Sequence, residues 1–276
     1  MNVWPNRRHI RLKGQPIWIQ PPIQDEIPTT PEQTGSFNGN GFPFYGPHLL
    51  TGVDKLHDEG LIGTGIKVGI IDTGVDYNHP ALGGCFGPGC KIAGGFDFAG
   101  DNPNMTVPGI LSLGLVLTSD ADPLDCEGHG THVAGILAAD ARHANASQPF
   151  VGVAPGVTIM AYKTGVCNET ILTDAVVAAM ARAVDDKVDI VSMSIGEPEG
   201  WPEDSLTIMA NRLVDQGIFV SISTGNEGQA GLFDASSPAS GRNILAVAEI
   251  DNIAIPEWYA ITSDGQQVVK FLNGAC

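Results

Sequence analysis

Residues 66–72 read Ile-Lys-Val-Gly-Ile-Ile-Asp, and no other stretch of the 276-residue chain constrains the fold as tightly. Val68, Ile70 and Ile71 form an almost continuous apolar run, without the alternation of a strand that faces water on one side. A strand of that kind belongs in a parallel sheet covered by helices on both faces. Its last residue is Asp72, followed by Thr73 and Gly74. A carboxylate at the carboxyl end of such a strand stands where open α/β sheets gather their functional groups.

The chain beyond it alternates in the manner that reading requires. A short helical patch at 53–57 precedes the strand, and an apolar helix follows from His129 to Leu137. Further strands are expected at 158–163, 188–194, 218–222 and 244–248. Helices are expected at 170–184, with Thr170 or Thr173 as cap and Ile171, Ala175, Ala178, Ala179 and Ala183 as the apolar side, and at 206–214. This order predicts a mainly parallel sheet between two helical layers. Residues 1–48 differ: Pro5, Pro16, Pro21, Pro22, Pro28, Pro31, Pro43 and Pro47 break up regular structure, which reads as an extended leader. Arg7, Arg8, Arg11 and Lys13 make it locally basic.

In a parallel sheet the strand ends share one edge. Asp72, Ser194-Ile195-Gly196 and Ser223-Thr224-Gly225-Asn226 all fall just past strand ends. Gly128-His129-Gly130-Thr131-His132 opens a helix near that edge, with Val133, Ala134, Ile136 and Leu137 spaced as a buried stripe. Histidine, with an ordinary pKa of about 6.5, can take and return a proton near neutrality. An Asp to orient it and an Asn amide for an oxyanion would complete the set that acyl transfer needs. The plainer alternatives are an Asp satisfied within its own turn, a pair of histidines at a helix start, an Asn that only forms a turn and a Ser194 segment that only ends a strand. His132 is read as a helix-packing or backbone-bonding neighbour.

Three motifs carry a family resemblance. Val68-Gly69-Ile70-Ile71-Asp72-Thr73-Gly74, with His79-Pro80-Ala81-Leu82 behind it, resembles the aspartate motif of the subtilisin-like serine proteases. Gly128-His129-Gly130-Thr131-His132-Val133-Ala134-Gly135 resembles their histidine motif, and Thr224-Gly225-Asn226-Glu227-Gly228 their oxyanion-asparagine motif. The order Asp, His, Asn is also theirs, and the likeness runs over about 49–251. The Cys-bracketed loop and the Cys126-Glu127 lead-in look most like secreted fungal members. The resemblance implies the subtilisin-like three-layer αβα fold and a serine endopeptidase. In it Asp72 orients His129, His129 is general base and then acid, and Asn226 donates to the oxyanion. Ser194, Ile195 and Gly196 would pair with extended polypeptide substrate by β-augmentation. It also makes the residues near Val3-Trp4-Pro5 resemble the tail of a propeptide.

One departure stands out. The family's nucleophile lies in a Gly-Thr-Ser-Met-Ala type segment after the asparagine motif, and no such segment occurs in residues 1–276. Ser192 and Ser194 belong to a strand, and Ser236, Ser237 and Ser240 lack the Gly-Thr lead and the helix that should follow. The expectation is a fold incomplete at its C-terminus, with 252–276 as the start of an inserted domain or a truncated tail, and no covalent-serine hydrolysis by the chain as it stands. A non-catalytic fragment or pseudoprotease that binds peptides is the rival. An aspartic protease, suggested by Asp72-Thr73-Gly74, lacks a second such triplet; Ser263-Asp264-Gly265 has the wrong order.

Composition narrows the partners. With 14 Lys and Arg against 31 Asp and Glu, the net charge of −17 disfavours nucleic acid and anionic membranes. No apolar run is long enough for a membrane span, and the first residues show no signal-peptide core. Sequons at Asn104, Asn145 and Asn168 nevertheless point to secretion, and a monomer is expected. Cys85 and Cys90 bracket a Gly/Pro turn in a spacing that suits a small disulfide, with metal binding the alternative. Cys126, Cys167 and Cys276 have no assignable partners. Asp120, Asp122 and Asp125 crowd toward His129; they are read as solvated loop acids, although such acids would also suit a structural Ca²⁺. No metal or cofactor is required.

Overall fold

The computed structural model describes residues 17–19, 45–101, 118–142, 150–167, 170–198, 201–226, 228, 231, 235–250, 255–261 and 267–272. The elements in chain order are β1 (Ile17–Ile19), α1 (Gly46–Thr51), α2 (Val53–Asp58), β2 (Lys67–Asp72), β3 (Ile92–Asp97), α3 (His129–Ala138), β4 (Thr158–Lys163), β5 (Gly165–Val166) and β6 (Thr170–Ile171). They continue with α4 (Thr173–Asp185), β7 (Ile190–Met193), α5 (Ser205–Asp215), β8 (Phe219–Ser223), β9 (Leu245–Val247), β10 (Ile255–Ile261) and β11 (Gln267–Leu272). The chain forms two compact units, one of Met1–Lys55 with Asp251–Cys276 and one of Leu56–Ile250. In the first, β1, β10 and β11 make a three-stranded antiparallel sheet.

The second unit is built on a six-stranded sheet in the order β3-β4-β2-β7-β8-β9, with every pairing parallel. The continuous apolar run of β2 has a direct cause, because the strand feeds two cores. Val68 and Ile70 join Ile159 and Ala161 under Ala134 and Ala138 of α3. Ile71 joins Tyr162, Val191 and Met193 under Val176, Ala179 and Met180 of α4 and Ala210 and Leu213 of α5. The result is the three-layer α/β arrangement expected from the alternation.

Several local expectations need correction. Pro47 does not break structure: it sits in the first turn of α1, where its missing N–H has no intrahelical partner to lose. The helix expected from Thr170 starts at Thr173, capped at Leu172 with no side-chain hydrogen bond; Thr170 belongs instead to the β5–β6 hairpin. In α3 the buried face is Gly130, Ala134 and Ala138, small residues four apart, whereas Ile136 is 48% exposed. His132 is exposed, so it does not pack the helix. β3 has no counterpart in the expected strands: Gly94 and Gly95 weaken its apolar pattern, yet a Cβ at Gly95 would stand 1.9 Å from the Ala161 carbonyl oxygen. Glycine there lets β3 lie close against β4.

Three neighbouring strands end on charges, since Asp97 and Asp72 both stand in register with Lys163. Lys163 is fully buried and its Nζ lies 3.1 Å from Asp97 Oδ2, with Asp101 as a second partner. Asp97 Oδ1 accepts from the N–H groups of Ala99 and Gly100 at 2.8 and 2.7 Å. Burial pulls the Lys163 pKa down, but the two carboxylates outweigh it and hold the ammonium charged. Removing one partner of a buried pair strands the other, so Lys163→Ala is expected to cost about 3–5 kcal/mol in urea unfolding. A cost near zero would show that the pair is not buried as described.

Candidate active site

Asp72 closes β2 and His129 opens α3, and the two side chains meet. His129 Nδ1 donates to Asp72 Oδ1 at 2.6 Å, the tautomer following from a carboxylate acceptor. The Asp72 side chain is 1% exposed and that of His129 50%. The carboxylate is therefore fixed inside the protein while the imidazole reaches the surface. Asp72 Oδ1 also accepts from the Thr73 N–H at 2.7 Å.

That contact depends on how closely α3 approaches the end of β2. Gly130, one residue past the imidazole, faces the turn: a Cβ there would stand 2.1 Å from the Gly74 carbonyl oxygen and 3.1 Å from Asp72 Cβ and Oδ1. Gly74 has a φ of +111°, and a Cβ on it would stand 2.7 Å from the Pro123 oxygen and 3.0 Å from Asp125 Cα. Two glycines thus permit the loop, the turn and the helix start to touch. The Gly130 N–H donates to Thr73 Oγ1 at 2.8 Å.

Asp125 corrects the reading of a solvated loop acid. Its Oδ1 accepts from the Thr73 hydroxyl at 3.1 Å and from the N–H groups of Glu127 and Gly128 at 2.9 and 3.0 Å. Its Oδ2 accepts from the Thr131 N–H and hydroxyl at 2.9 and 2.6 Å. Gly128, the N-cap of α3, has φ +112° and no side chain to offer, so Asp125 takes the Thr131 N–H and Thr73 Oγ1 the Gly130 N–H instead. The signal was an acidic residue just ahead of a glycine-capped helix. Asp120 and Asp122 do not approach His129 in this way: Asp120 pairs with Asp97 through the backbone, and Asp122 accepts from the Tyr77 hydroxyl at 2.7 Å. Burial, then the Asp122 bond and neighbouring acids, push the Tyr77 pKa up to about 12.

The remaining expected residues distribute as follows. Ser194, Ile195 and Gly196 follow β7, and an antiparallel bridge between Glu197 and Ser237 begins immediately after them. Asn226 lies three residues beyond β8 and is exposed. Since β2, β7 and β8 are adjacent and parallel, Asp72, the Ser194 segment and Asn226 all leave the sheet at the same edge. Cys85 and Cys90 form a disulfide, and Cys126 pairs with Cys167 across a separation of 41 residues. That second bridge was not deducible from spacing, because the β5–β6 turn that carries Cys167 is set by tertiary pairing. Asp101, Cys126 and Cys167 lie together, but the two sulfurs are bonded to each other and Asp101 to Lys163, which leaves no ligand set for a metal. Asn104, Asn145, Asn168 and Cys276 lie outside the described residues.

The charge field around His129 has one sign. Its pKa is raised above the ordinary value, chiefly by the hydrogen bond to Asp72; burial opposes this, and the charges of Asp72, Glu127 and Asp125 reinforce it. An acid held beside an imidazole favours the imidazolium.

Comparison with known proteins gives a consistent result. The family model described as the subtilase family matches residues 63–274. The minor extracellular protease Vpr of Bacillus subtilis (strain 168) is 33% identical over 225 residues, covering 80% of this chain and 25% of that protein. A thermophilic serine proteinase from Bacillus sp. (strain AK1) is 29% identical, covering 83% and 51%. Subtilisin E of Bacillus subtilis is 30% identical, covering 71% and 44%. The chain thus spans from a quarter to about half the length of these relatives.

Two measurements check the geometry. Gly130→Ala forces a methyl group into backbone and should lower stability by about 1–3 kcal/mol in thermal or urea unfolding; an unchanged midpoint would contradict the close approach. In an NMR titration the His129 midpoint should lie above 6.5 and fall in Asp72→Asn. A raised folded-state pKa adds stability that is fully present below the unfolded value and is lost as pH rises through the folded one. The stability difference between wild type and Asp72→Asn should therefore shrink as pH climbs through the His129 midpoint.

Proposed function

The chain belongs to the subtilase family, and from that premise we propose that it carries the acid–base half of a serine-type endopeptidase site acting on extended polypeptides. The carrying observation is the 2.6 Å bond between a buried Asp72 and a half-exposed His129. With Nδ1–H held by the carboxylate, Nε2 is left as the base. It takes the proton of a serine hydroxyl as that oxygen attacks the scissile carbonyl, and the Asp72 charge stabilises the imidazolium that forms. The proton then goes to the leaving amine, and water repeats the sequence on the acyl-enzyme. Asn226 supplies an N–H donor to the oxyanion, and Ser194, Ile195 and Gly196 align substrate as an added strand. These steps draw on protein groups and water, and none of them calls for a metal or cofactor.

The nucleophile, on this reading, is none of the serines in residues 1–276. Ser237 Oγ donates to Asp204 Oδ2 at 2.8 Å and lies 2.8 Å from Thr207 Oγ1; Ser240 Oγ donates to the Trp201 carbonyl at 3.3 Å. Ser236 is buried, and no Gly-Thr-Ser segment is present. Two disulfides and a relative described as extracellular support a secreted protein.

A fluorophosphonate probe tests both parts. The 276-residue chain should remain unlabelled. Stoichiometric labelling at a serine, abolished in His129→Ala, would place the nucleophile within these residues. In a form of the protein that joins them to a Gly-Thr-Ser segment, peptide hydrolysis should appear, and His129→Ala should lower kcat by about 10⁶-fold, the loss expected when a triad loses its histidine. Full turnover without the imidazole would refute the assignment of the base.

A further inference from the structure

Both members of the Asp72–His129 pair are held through backbone that a third carboxylate touches. Asp125 binds Glu127, Gly128 and Thr131 on either side of His129, and it binds the hydroxyl of Thr73, the residue after Asp72. Thr73 Oγ1 in turn accepts from Gly130, and Thr131 Oγ1 accepts from the Asp76 N–H at 2.8 Å. One side chain therefore joins the start of α3 to the turn that ends β2.

A cap alone does not account for this arrangement. α4 runs for 13 residues from a leucine N-cap without any side-chain hydrogen bond, so helices in this fold form without one. Asp204 shows what an ordinary cap looks like here: its Oδ2 accepts from Leu206 and Thr207 of the helix that follows it. Asp125 does the same for α3 and in addition crosses to another element. The loop that carries it is pressed against Gly74 and continues into Cys126, whose disulfide to Cys167 anchors the next residue.

We propose that Asp125 is a positioning residue: its carboxylate locks the first turn of α3 to the Thr73 turn and so sets the reach of His129 Nδ1 to Asp72. Five donors converge on two oxygens, and asparagine cannot replace that set. It keeps one acceptor and turns an NH₂ group toward donors. Catalytic groups tolerate little displacement, and an error of about 1 Å can cost on the order of 10²-fold in rate. The catalytic meaning of the lock rests on the serine-peptidase reading above.

The test is proton NMR of the 276-residue chain, following the low-field resonance of the His129 Nδ1 proton, with Asp72→Asn to assign it. Asp204→Ala serves as the control, since it removes the cap of a different helix. Asp125→Asn and Asp204→Ala should both lower the melting temperature, and only Asp125→Asn should lose the resonance. Thr73→Val cuts the Asp125 link to β2 together with the Gly130–Thr73 bond; it too should lose the resonance. Should Asp125→Asn fail to fold, Asp125→Ser, whose shorter side chain cannot span both elements, takes its place and should lose the resonance as well. A resonance retained in folded Asp125→Asn, or in Thr73→Val, would overturn the proposal. Turnover plays no part in this readout, so a failure to hydrolyse peptides would count against the proposed activity and leave the positioning role standing.

Discussion

A carboxylate buried at the end of a central strand dictates what can pack beside it. Asp72 is 1% exposed, and the group that meets it is an imidazole on the first residue of a helix. For the two to touch, the helix start has to press into the β2 turn. Much else follows from that requirement. Gly130 has no room for a side chain, Gly74 adopts a left-handed conformation against the 123–125 loop, and the buried face of α3 is built from glycine and alanine. A helix with leucines on that face would stand off the sheet and pull His129 away from Asp72.

The same edge of the sheet manages a second charge problem. β2, β3 and β4 end on Asp72, Asp97 and Lys163 in lateral register. Lys163 turns to Asp97 and Asp101, not to Asp72. Among the described residues the positive partner of Asp72 is thus His129, and only when the imidazole is protonated. Net charge of −17 and the nearby Glu127 and Asp125 bias the pair in the same direction.

How much of this the sequence disclosed depends on the range over which each feature is determined. The apolar run of β2 and the strand–helix alternation are local patterns, and they predicted the parallel sheet and its two helical layers. Asp72 at a strand end and His129 at a helix start near the same edge announced where the two could meet; of the glycines that flank His129, only Gly130 marks a close approach, since a Cβ on Gly128 would meet nothing within 4 Å. Features that depend on register were not legible. β3 contains paired glycines because β4 lies against it, so its pattern reads as a loop until the neighbour is known. Cys126 and Cys167 belong to segments brought together by the β5–β6 hairpin, which is too short to signal itself. Asp125 looked like one of three equivalent loop acids; the distinction between it and Asp122 lies in where the chain has turned. The helix start at Leu172 shows the reverse case, since the more attractive capping residue, Thr170, is drawn into strand pairing.

Asp72 itself carries an imbalance that bears on function. Its Oδ1 accepts from both His129 and the Thr73 N–H, whereas its Oδ2 is buried and makes no hydrogen bond among the described residues. A buried oxygen left without a donor costs about 1–3 kcal/mol, a cost native folds seldom keep without a compensating use. Here the use is electrostatic. A carboxylate fully satisfied by backbone N–H groups would have its charge neutralised in advance and would gain little from a proton arriving on His129. One that is satisfied on one side only retains a field directed at the imidazole. Protonation of His129 at Nε2 brings no donor to Oδ2, but it sets a positive charge against that field, so the imidazolium is stabilised relative to the resting pair, which is the direction in which the His129 pKa is displaced. The gain is electrostatic, and Oδ2 keeps its desolvation cost in both protonation states.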